Sequence, residues 1–250
     1  MIVIVGIGQL GGVFARGFLR LARPVVPVVR GQRMSDVAQA FAEPEMVLIA
    51  VAERDLPDVM ADLPKAWRDR VALIQNELLP ADWQQVGLMP TVMSVWFEKR
   101  KTFEPRVLRP SVAYGPHAGL LVEALAALDV PAEVLPSADA LTFELVIKNI
   151  YILAKNAAGL EVGGTGRTLW AEHRPLAERL VAESLELQQA LTGQTFDAAL
   201  VVAKVEEGFA GGLDQKNAGR SAPARVERAV ALADRLGCTV PTLRKIRAKS

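Results

Sequence analysis

A glycine-rich segment close to the N-terminus, Gly6-Ile7-Gly8-Gln9-Leu10-Gly11, constrains the fold of this chain more than any other feature. It directly follows the apolar run Ile2–Val5 and opens a segment with helical apolar spacing. In such a strand–turn–helix unit the first glycine permits a tight turn, the second lets a ligand approach the backbone, and the third packs helix against strand. Because the free N–H groups and the dipole of the helix favour an anion there, the motif predicts a pyrophosphate-binding turn, with a plain strand–turn–helix as the alternative.

The first half of the chain alternates short apolar runs with helical segments. Most of the runs are rich in β-branched residues and bounded by Gly, Pro or charged residues. The predicted strands are Ile2–Val5, Val25–Val29, Met46–Val51, Val71–Gln75, Thr91–Trp96, Val107–Tyr114 and Ala132–Leu135. The predicted helices cover about residues 10–22, 34–41, 54–66, 80–86 and 117–128. This alternation predicts a doubly wound, mostly parallel α/β sheet, a Rossmann domain over residues 1–137 that binds a dinucleotide.

The second half, residues 138–250, carries helical apolar spacing without strand signals, which predicts an all-α C-terminal domain. Ser137 and Asp139 are candidate caps of its first helix. Two glycine-rich patches, Gly159–Gly166 and Gly208–Gly219, interrupt the helical pattern. They are predicted to be either surface loops or loops at which a ligand binds. The predicted helices are Ala140–Gly159, Arg174–Thr192, Phe196–Phe209 and Ala222–Gly237.

Composition narrows the classes of function. The chain has 29 basic and 28 acidic residues, so its balance of charge gives no reason to expect a nucleic-acid partner. Cys238 is the only cysteine and His117 and His173 are the only histidines, which argues against an intrachain disulfide and against a protein-built metal site. The N-terminus lacks a signal-peptide pattern, and no apolar run is long enough for a membrane span. We therefore expect a cytoplasmic protein with a small-molecule partner, whose apolar helix faces are suited to a homodimer.

The end of the second predicted strand bears on the choice of cofactor. An NAD site usually places Asp or Glu there, on the ribose 2′-hydroxyl. Here Arg30 ends the strand, and Asp36 is the first acidic residue of the chain. A guanidinium can hold a 2′-phosphate bidentately, whereas a carboxylate would repel it, so we predict NADP rather than NAD. The alternative is that Arg30 is simply a solvated residue at the end of a strand. A solvated position is the favoured interpretation for the arginines on the outer face of the first helix, namely Arg16, Arg20 and Arg23.

Two polar side chains elsewhere are candidates for substrate chemistry. Asn76 follows the fourth strand, at the sheet edge where ligands bind in such folds, although Asn at a strand end is commonly a turn residue. Lys148 lies in the apolar helix Ala140–Gly159, and Lys155 follows two turns later. Burial penalises an ammonium and lowers a lysine pKa toward the range useful for proton transfer, while snorkelling to the surface is the alternative.

These features together resemble the ketopantoate reductase family of the phosphogluconate dehydrogenase-like superfamily. The resemblance rests on the glycine motif, on Arg30, on Ile74-Gln75-Asn76, on the helix with Lys148 and Asn156, and on the late segment from Gly219 to Pro241. It implies transfer of a hydride from NADPH to the carbonyl of a 2-oxoacid, as in a 2-dehydropantoate 2-reductase. It further implies that Lys148 is the general acid, that Asn76 contacts cofactor or substrate, and that Asn156 contacts substrate.

The chain departs from the pattern of this family at the substrate site. Glu77 stands where the family has glycine after the asparagine, and Ile152 stands where it has a second asparagine on the lysine helix. Ser221 falls on the family's late acidic residue that positions lysine and substrate. A catalytically inactive NADP-binding regulatory protein of the same fold is therefore the alternative to a reductase, and an imine is an alternative to a carbonyl substrate.

Overall fold

The structure is a computed structural model that describes residues 1–99 and 104–249. The chain divides into two compact units, Met1–Glu144 and Leu145–Ser250. The division falls inside a single helix, a few residues beyond the domain boundary that we predict at residue 137. No helix among the described residues combines the length and the apolar character needed to cross a bilayer.

The strands described in the N-terminal unit are β1 (Ile2–Val5), β2 (Val25–Val28), β3 (Met46–Ile49), β4 (Val71–Leu73), β5 (Thr91–Ser94), β6 (Phe97–Glu98), β7 (Arg106–Val107), β8 (Ser111–Tyr114) and β9 (Ala132–Val134). Seven of them form one sheet in the order β2-β1-β3-β4-β5-β8-β9. All neighbouring strands run parallel except β5 and β8, which pair antiparallel. β6 and β7 form a separate antiparallel pair. The predicted α/β Rossmann class is confirmed.

Helices of this unit cover the sheet, and the central strands are fully buried, as is usual for a parallel sheet. The helices are α1 (Gln9–Arg20), α2 (Met34–Ala40), α3 (Leu56–Ala61), α4 (Pro80–Gln84) and α5 (Ala118–Ala126), with 3₁₀ turns at Glu53–Asp55 and Lys65–Trp67. Phe14 and Phe18 of α1 are wholly buried in the core. Gly17 lets α1 approach α5 closely, since a Cβ there would lie 2.1 Å from the Ala124 carbonyl oxygen.

The strand order places the candidate site. The chain leaves β1 to form β2 on one side and later returns to form β3 on the other side. The carboxyl end of β1 is therefore a topological switch point, where open α/β sheets bind their ligands. The predicted pyrophosphate turn begins at this point, immediately after Val5.

The C-terminal unit contains the rest of α6 and five further helices among its described residues. The helices are α6 (Ala138–Glu161), α7 (Gly166–Glu172), α8 (Arg174–Thr192), α9 (Ala198–Ala210), α10 (Ala222–Leu236) and α11 (Pro241–Arg247). Ser137 caps α6, because its Oγ accepts a hydrogen bond from the Ala140 N–H at 3.1 Å. The helical class of this half is confirmed.

Several predicted boundaries are wrong for local reasons. The predicted strand Val107–Tyr114 is two separate strands, because Pro110 between them has no N–H to donate. The predicted helix 54–66 is a 3₁₀ turn followed by the short helix α3, which ends before Pro64, in keeping with the bias of residues before proline against helix. The patch Gly159–Gly166 is not one loop, since Gly159 belongs to α6. Helices α7 and α11 had no counterpart in the prediction.

Candidate functional site

The turn after β1 depends on two of its three glycines for its shape. Gly6 has φ of +94°, and a Cβ there would lie 3.0 Å from the Ala50 carbonyl oxygen. The Gly6 N–H donates to the Val28 carbonyl at 2.9 Å, which ties the turn to the end of β2. Gly11 lies under the turn, where a Cβ would come within 2.1 Å of the Gly6 carbonyl oxygen. Neither position has room for a side chain.

Gly8 differs from Gly6 and Gly11 because a side chain at this position would have free space around it. It is the N-cap of α1, its φ of −81° suits any residue, and a Cβ there would meet no protein atom within 4 Å. The first N–H groups of α1 follow, and such groups have no acceptor inside a helix. The first turn of α1 has no acidic residue. This open approach to a helix N-terminus is what an anionic ligand requires.

A cavity of about 840 Å³ lies against this turn. Gly6, Ile7 and Gly8 line one part of it, and Arg30 and Gln32 after β2 line another. Its volume falls in the range of about 300–1,000 Å³ that is usual for cofactor and small-molecule sites. The structure thus brings the predicted glycine turn and the predicted Arg30 to one cavity.

The chain bends sharply after β2, and this bend carries Arg30 to the cavity. Gly31 has φ of +91°, and the Gln32 side chain accepts a hydrogen bond from the Val29 N–H at 2.9 Å. Arg30 itself is exposed. The arginines on and after α1 are engaged elsewhere, in agreement with their predicted place on the outer surface. Arg16, Arg20 and Arg23 bind Glu104, the Ala127 carbonyl and Glu45, respectively.

Four charged residues of the cavity lining were not predicted from the sequence, namely Arg54, Asp55, Asp58 and Asp62. Arg54 and Asp55 belong to the 3₁₀ turn after β3, Asp58 belongs to α3, and Asp62 directly follows α3. Arg54 forms an ion pair with Asp55, with 3.3 Å between Nε and Oδ1. These four residues reach the cavity because β3 borders β1 at the switch point. The lining therefore carries both signs of charge.

Gln75 and Asn76 fix the adjoining edge of the sheet. The buried Gln75 side chain donates to the Ile49 carbonyl at 2.8 Å and accepts from the Ile74 N–H at 3.1 Å. The Asn76 side chain donates to Glu53 Oε1 at 2.8 Å. Asn76 and Leu10 line a second cavity of about 160 Å³, which shares the segment 50–52 with the larger one.

Glu77, the residue after Asn76, has φ of +62°. This left-handed conformation is the one that favours glycine. The backbone at this divergent position therefore keeps a glycine-like geometry, although the residue is glutamate. Of the remaining residues of the predicted turn, Gln9 is exposed at the start of α1.

In the C-terminal unit, α6 carries its polar candidates in a buried setting. Lys148 is 8% exposed and Asn156 is 7% exposed, so Lys148 does not reach the surface by snorkelling. The Lys148 Nζ lies 5.8 Å from the centroid of the Tyr151 ring. The Asn156 side chain donates to the Ile152 carbonyl at 2.7 Å, one turn back in the helix. Ser221 is the exposed N-cap residue of α10, and its side chain makes no capping hydrogen bond.

The two glycine-rich patches meet within this unit. A Cβ on Gly159 would lie 2.2 Å from the Ala218 nitrogen. The Asn217 N–H donates to the Gly164 carbonyl at 3.0 Å, and its side chain also binds carbonyls of this turn. Gln215, two residues before Asn217, accepts a hydrogen bond from Lys155, with 2.6 Å between its Oε1 and the Lys155 Nζ. Gln215 was not predicted from the sequence, because a lone glutamine in a glycine-rich segment indicates no particular function.

Solved structures share this architecture. A ketopantoate reductase from Ralstonia eutropha matches 99% of this chain and 96% of its own at 19% identity, with a TM-score of 0.68. A dimeric ketopantoate reductase from Staphylococcus aureus matches 99% and 97% at 16% identity, with a TM-score of 0.64. A D-mandelate dehydrogenase in complex with NADH and anilino(oxo)acetate matches 100% and 97% at 10% identity, with a TM-score of 0.69.

No protein-family model and no curated protein sequence matches the chain. The structural matches extend over nearly the full length of each partner, so they concern the entire fold rather than the Rossmann unit alone. The chain therefore has the two-part fold of the ketopantoate reductases, and the resemblance found in its sequence is confirmed at the level of the fold.

Proposed function

We propose that this chain is an NADPH-dependent reductase of a small 2-oxoacid. The observation that carries the proposal is the cavity at the carboxyl end of β1, where the open backbone at Gly8 and the guanidinium of Arg30 line the same space. The likeness to ketopantoate reductases and to a mandelate dehydrogenase supports the oxidoreductase class.

The residues of the cavity fit a dinucleotide. The pyrophosphate would bind the N–H groups at the start of α1, where Gly8 leaves its approach open. Ile7, Gln9 and Leu10 would supply backbone around it, and Asn76 would contact the ribose on the nicotinamide side or a substrate oxygen. The bound cofactor would supply the hydride.

Arg30 supports NADP over NAD. Its guanidinium suits the two additional charges of a 2′-phosphate, and the bend at Gly31 holds its backbone at the cavity. Asp55, Asp58 and Asp62 in the lining act against this preference, because carboxylates repel phosphate. We propose that Arg30 decides the balance, and the preference is directly measurable.

Lys148 is the proposed proton donor. In the reduction the carbonyl carbon gains a hydride and the carbonyl oxygen gains a proton from the Lys148 ammonium, which water then reprotonates. A buried ammonium is well suited to this task, because few water molecules compete with it for the developing alkoxide. Asn156 and Ser221 are the proposed substrate contacts. A homodimer is proposed by analogy with the dimeric enzyme from Staphylococcus aureus.

The test is the rate of NADPH oxidation with a panel of 2-oxoacids and imines. For the substrate that is turned over, we expect Lys148→Met to lower kcat by about 10²–10⁴-fold, the usual contribution of a positioned acid, and to leave the Kd of NADPH unchanged. Lys204→Met on α9 is the matched control, since it removes the same charge from the same unit, and we expect it to keep full activity.

Two results would contradict the proposal. Turnover that survives Lys148→Met would remove Lys148 from the mechanism. Tight NADPH binding without turnover of any panel member would replace the reductase by the NADP-binding regulatory protein.

A further inference from the structure

A second buried lysine on α6 belongs to a cluster that the proposed reaction does not use. Lys155 is 7% exposed, and its Nζ donates to the Tyr151 hydroxyl at 3.2 Å and to Gln215 Oε1 at 2.6 Å. The ammonium also lies 5.4 Å from the centroid of the Tyr151 ring. Lys148 approaches the same ring to 5.8 Å, so two buried ammonium groups of one helix flank one tyrosine.

The cluster also holds hydrogen-bond donors that lack an acceptor. Gln215 is 4% exposed, and its Nε2 is buried without a hydrogen-bond partner among the described residues. The orientation of this amide follows from Lys155, which can only donate and therefore takes the Oε1 side. The indole nitrogen of Trp170 is likewise buried and without an acceptor in the described part of the chain. Its ring packs on Phe209, which in turn packs on Tyr151, with centroid distances of 5.6 and 4.9 Å.

Buried donors without acceptors are costly, so a site that collects them is complementary to a ligand that accepts hydrogen bonds. A carboxylate has two oxygens and about four acceptor positions, and it is attracted by an ammonium. The segment that supplies Gln215 is held in place, since Asn217 binds the turn at Gly163 and Gly164. The donors are therefore presented by an ordered part of the unit.

We infer that Lys155, Tyr151 and Gln215 form a carboxylate subsite, and that it binds the carboxylate of the 2-oxoacid substrate. The inference rests on the proposed function for the identity of the ligand. It gives a physical reason for the divergence at Ile152, because a chain that holds the carboxylate with Lys155 and Gln215 does not need a second asparagine at that position. Tyr151, Lys155 and Gln215 would then be substrate-specificity residues, next to the proposed proton donor Lys148.

The test compares binding of oxamate with binding of oxamide to the full chain, by calorimetry, with and without NADPH. The two probes have nearly the same shape, but only oxamate has a carboxylate. We expect the wild-type protein to bind oxamate about tenfold or more tightly than oxamide, since hydrogen bonds to a charged group add at least one factor of ten.

Three variants locate the effect. Lys155→Met and Gln215→Glu are expected to weaken oxamate binding by about tenfold to a hundredfold and to leave oxamide binding within about threefold. Gln215→Glu still offers Lys155 an acceptor, so it should fold normally while it repels the carboxylate. Lys216→Met is the matched control, because it removes an exposed charge next to Gln215, and we expect it to bind both probes as the wild type does.

Equal affinity of the wild type for both probes would overturn the inference. So would a well-folded Gln215→Glu protein that binds oxamate as tightly as the wild type does. Failure of the wild type to bind NADPH would instead overturn the proposed function, while the difference between oxamate and oxamide without cofactor would still decide the carboxylate subsite.

Discussion

Alanine substitutions at Gly8, Gly11 and Gly12 each add one methyl group to the start of α1 or to the turn before it. Together they separate an effect on stability from an effect on cofactor binding. Gly11→Ala places a Cβ 2.1 Å from the Gly6 carbonyl oxygen and 3.3 Å from the Ala50 Cβ. The clash is with backbone, so α1 or the turn must shift. Overpacking of this kind costs about 1–3 kcal/mol.

Gly8→Ala is expected to affect NADPH binding more than stability. Its Cβ meets nothing within 4 Å and its backbone conformation is ordinary, so the expected loss of unfolding free energy is only that of alanine in place of glycine at an N-cap, about 0.5–1 kcal/mol. The same methyl group occupies the proposed approach of the pyrophosphate, so NADPH affinity should fall by about tenfold or more, which corresponds to about 1.4 kcal/mol.

Gly12→Ala is the matched control, one residue further along α1. A Cβ there also meets nothing within 4 Å, and replacing glycine by alanine inside a helix is worth about 0.5–1 kcal/mol of stability. Thermal melts and NADPH titrations on the three variants provide the assay. At about 2–4 °C per kcal/mol, Gly11→Ala should lower Tm by roughly 4–8 °C for a cost near 2 kcal/mol, whereas Gly12→Ala should raise it slightly. If Gly8→Ala binds NADPH as tightly as the wild type, the assignment of the pyrophosphate to this turn is refuted.

Three further predictions concern stability. Glu77→Gly should raise the free energy of unfolding by about 0.5–1 kcal/mol, measured by denaturant unfolding, because glycine adopts the observed left-handed backbone without strain. Gln75→Leu should lower it by about 1–3 kcal/mol, because buried backbone groups at the ends of β3 and β4 lose their partners, whereas Gln84→Leu on the surface should change it little. Burial lowers the pKa of His117, more than the nearby acidic groups raise it, so the folded state binds this proton less readily than the unfolded chain. The resulting stability is present above about pH 6.5 and is lost as the pH falls below it, and His117→Gln should flatten that part of the pH–stability curve.

The predictable part of this structure depends on local signals. The glycine motif, the β-branched runs and Arg30 each act over a few residues, and they were sufficient to predict the Rossmann class and one wall of the cavity. Ser137 was likewise predictable as a cap, because a cap acts within its own first turn.

The missed features depend on contacts that are distant in sequence. Gln215 is significant only because its segment returns to Lys155, sixty residues earlier in the chain. Arg54 and the carboxylates after it reach the cavity because β3 lies beside β1, which is a property of strand order rather than of the segment itself. The short helix α7 begins within a glycine-rich patch, where the Thr165 cap provides the helix start that the composition conceals.

The most direct test of the central claim is a fluorescence titration of the wild type and of Arg30→Ala with NADPH and with NADH. If the glycine turn and Arg30 together bind NADP, the wild type should prefer NADPH by about tenfold or more, and Arg30→Ala should weaken NADPH binding by about tenfold to a hundredfold while NADH binding stays within about threefold. Equal affinity of the wild type for the two cofactors, or a preference for NADH that Arg30→Ala does not alter, would mean that the carboxylates of the cavity outweigh the guanidinium and would contradict the account.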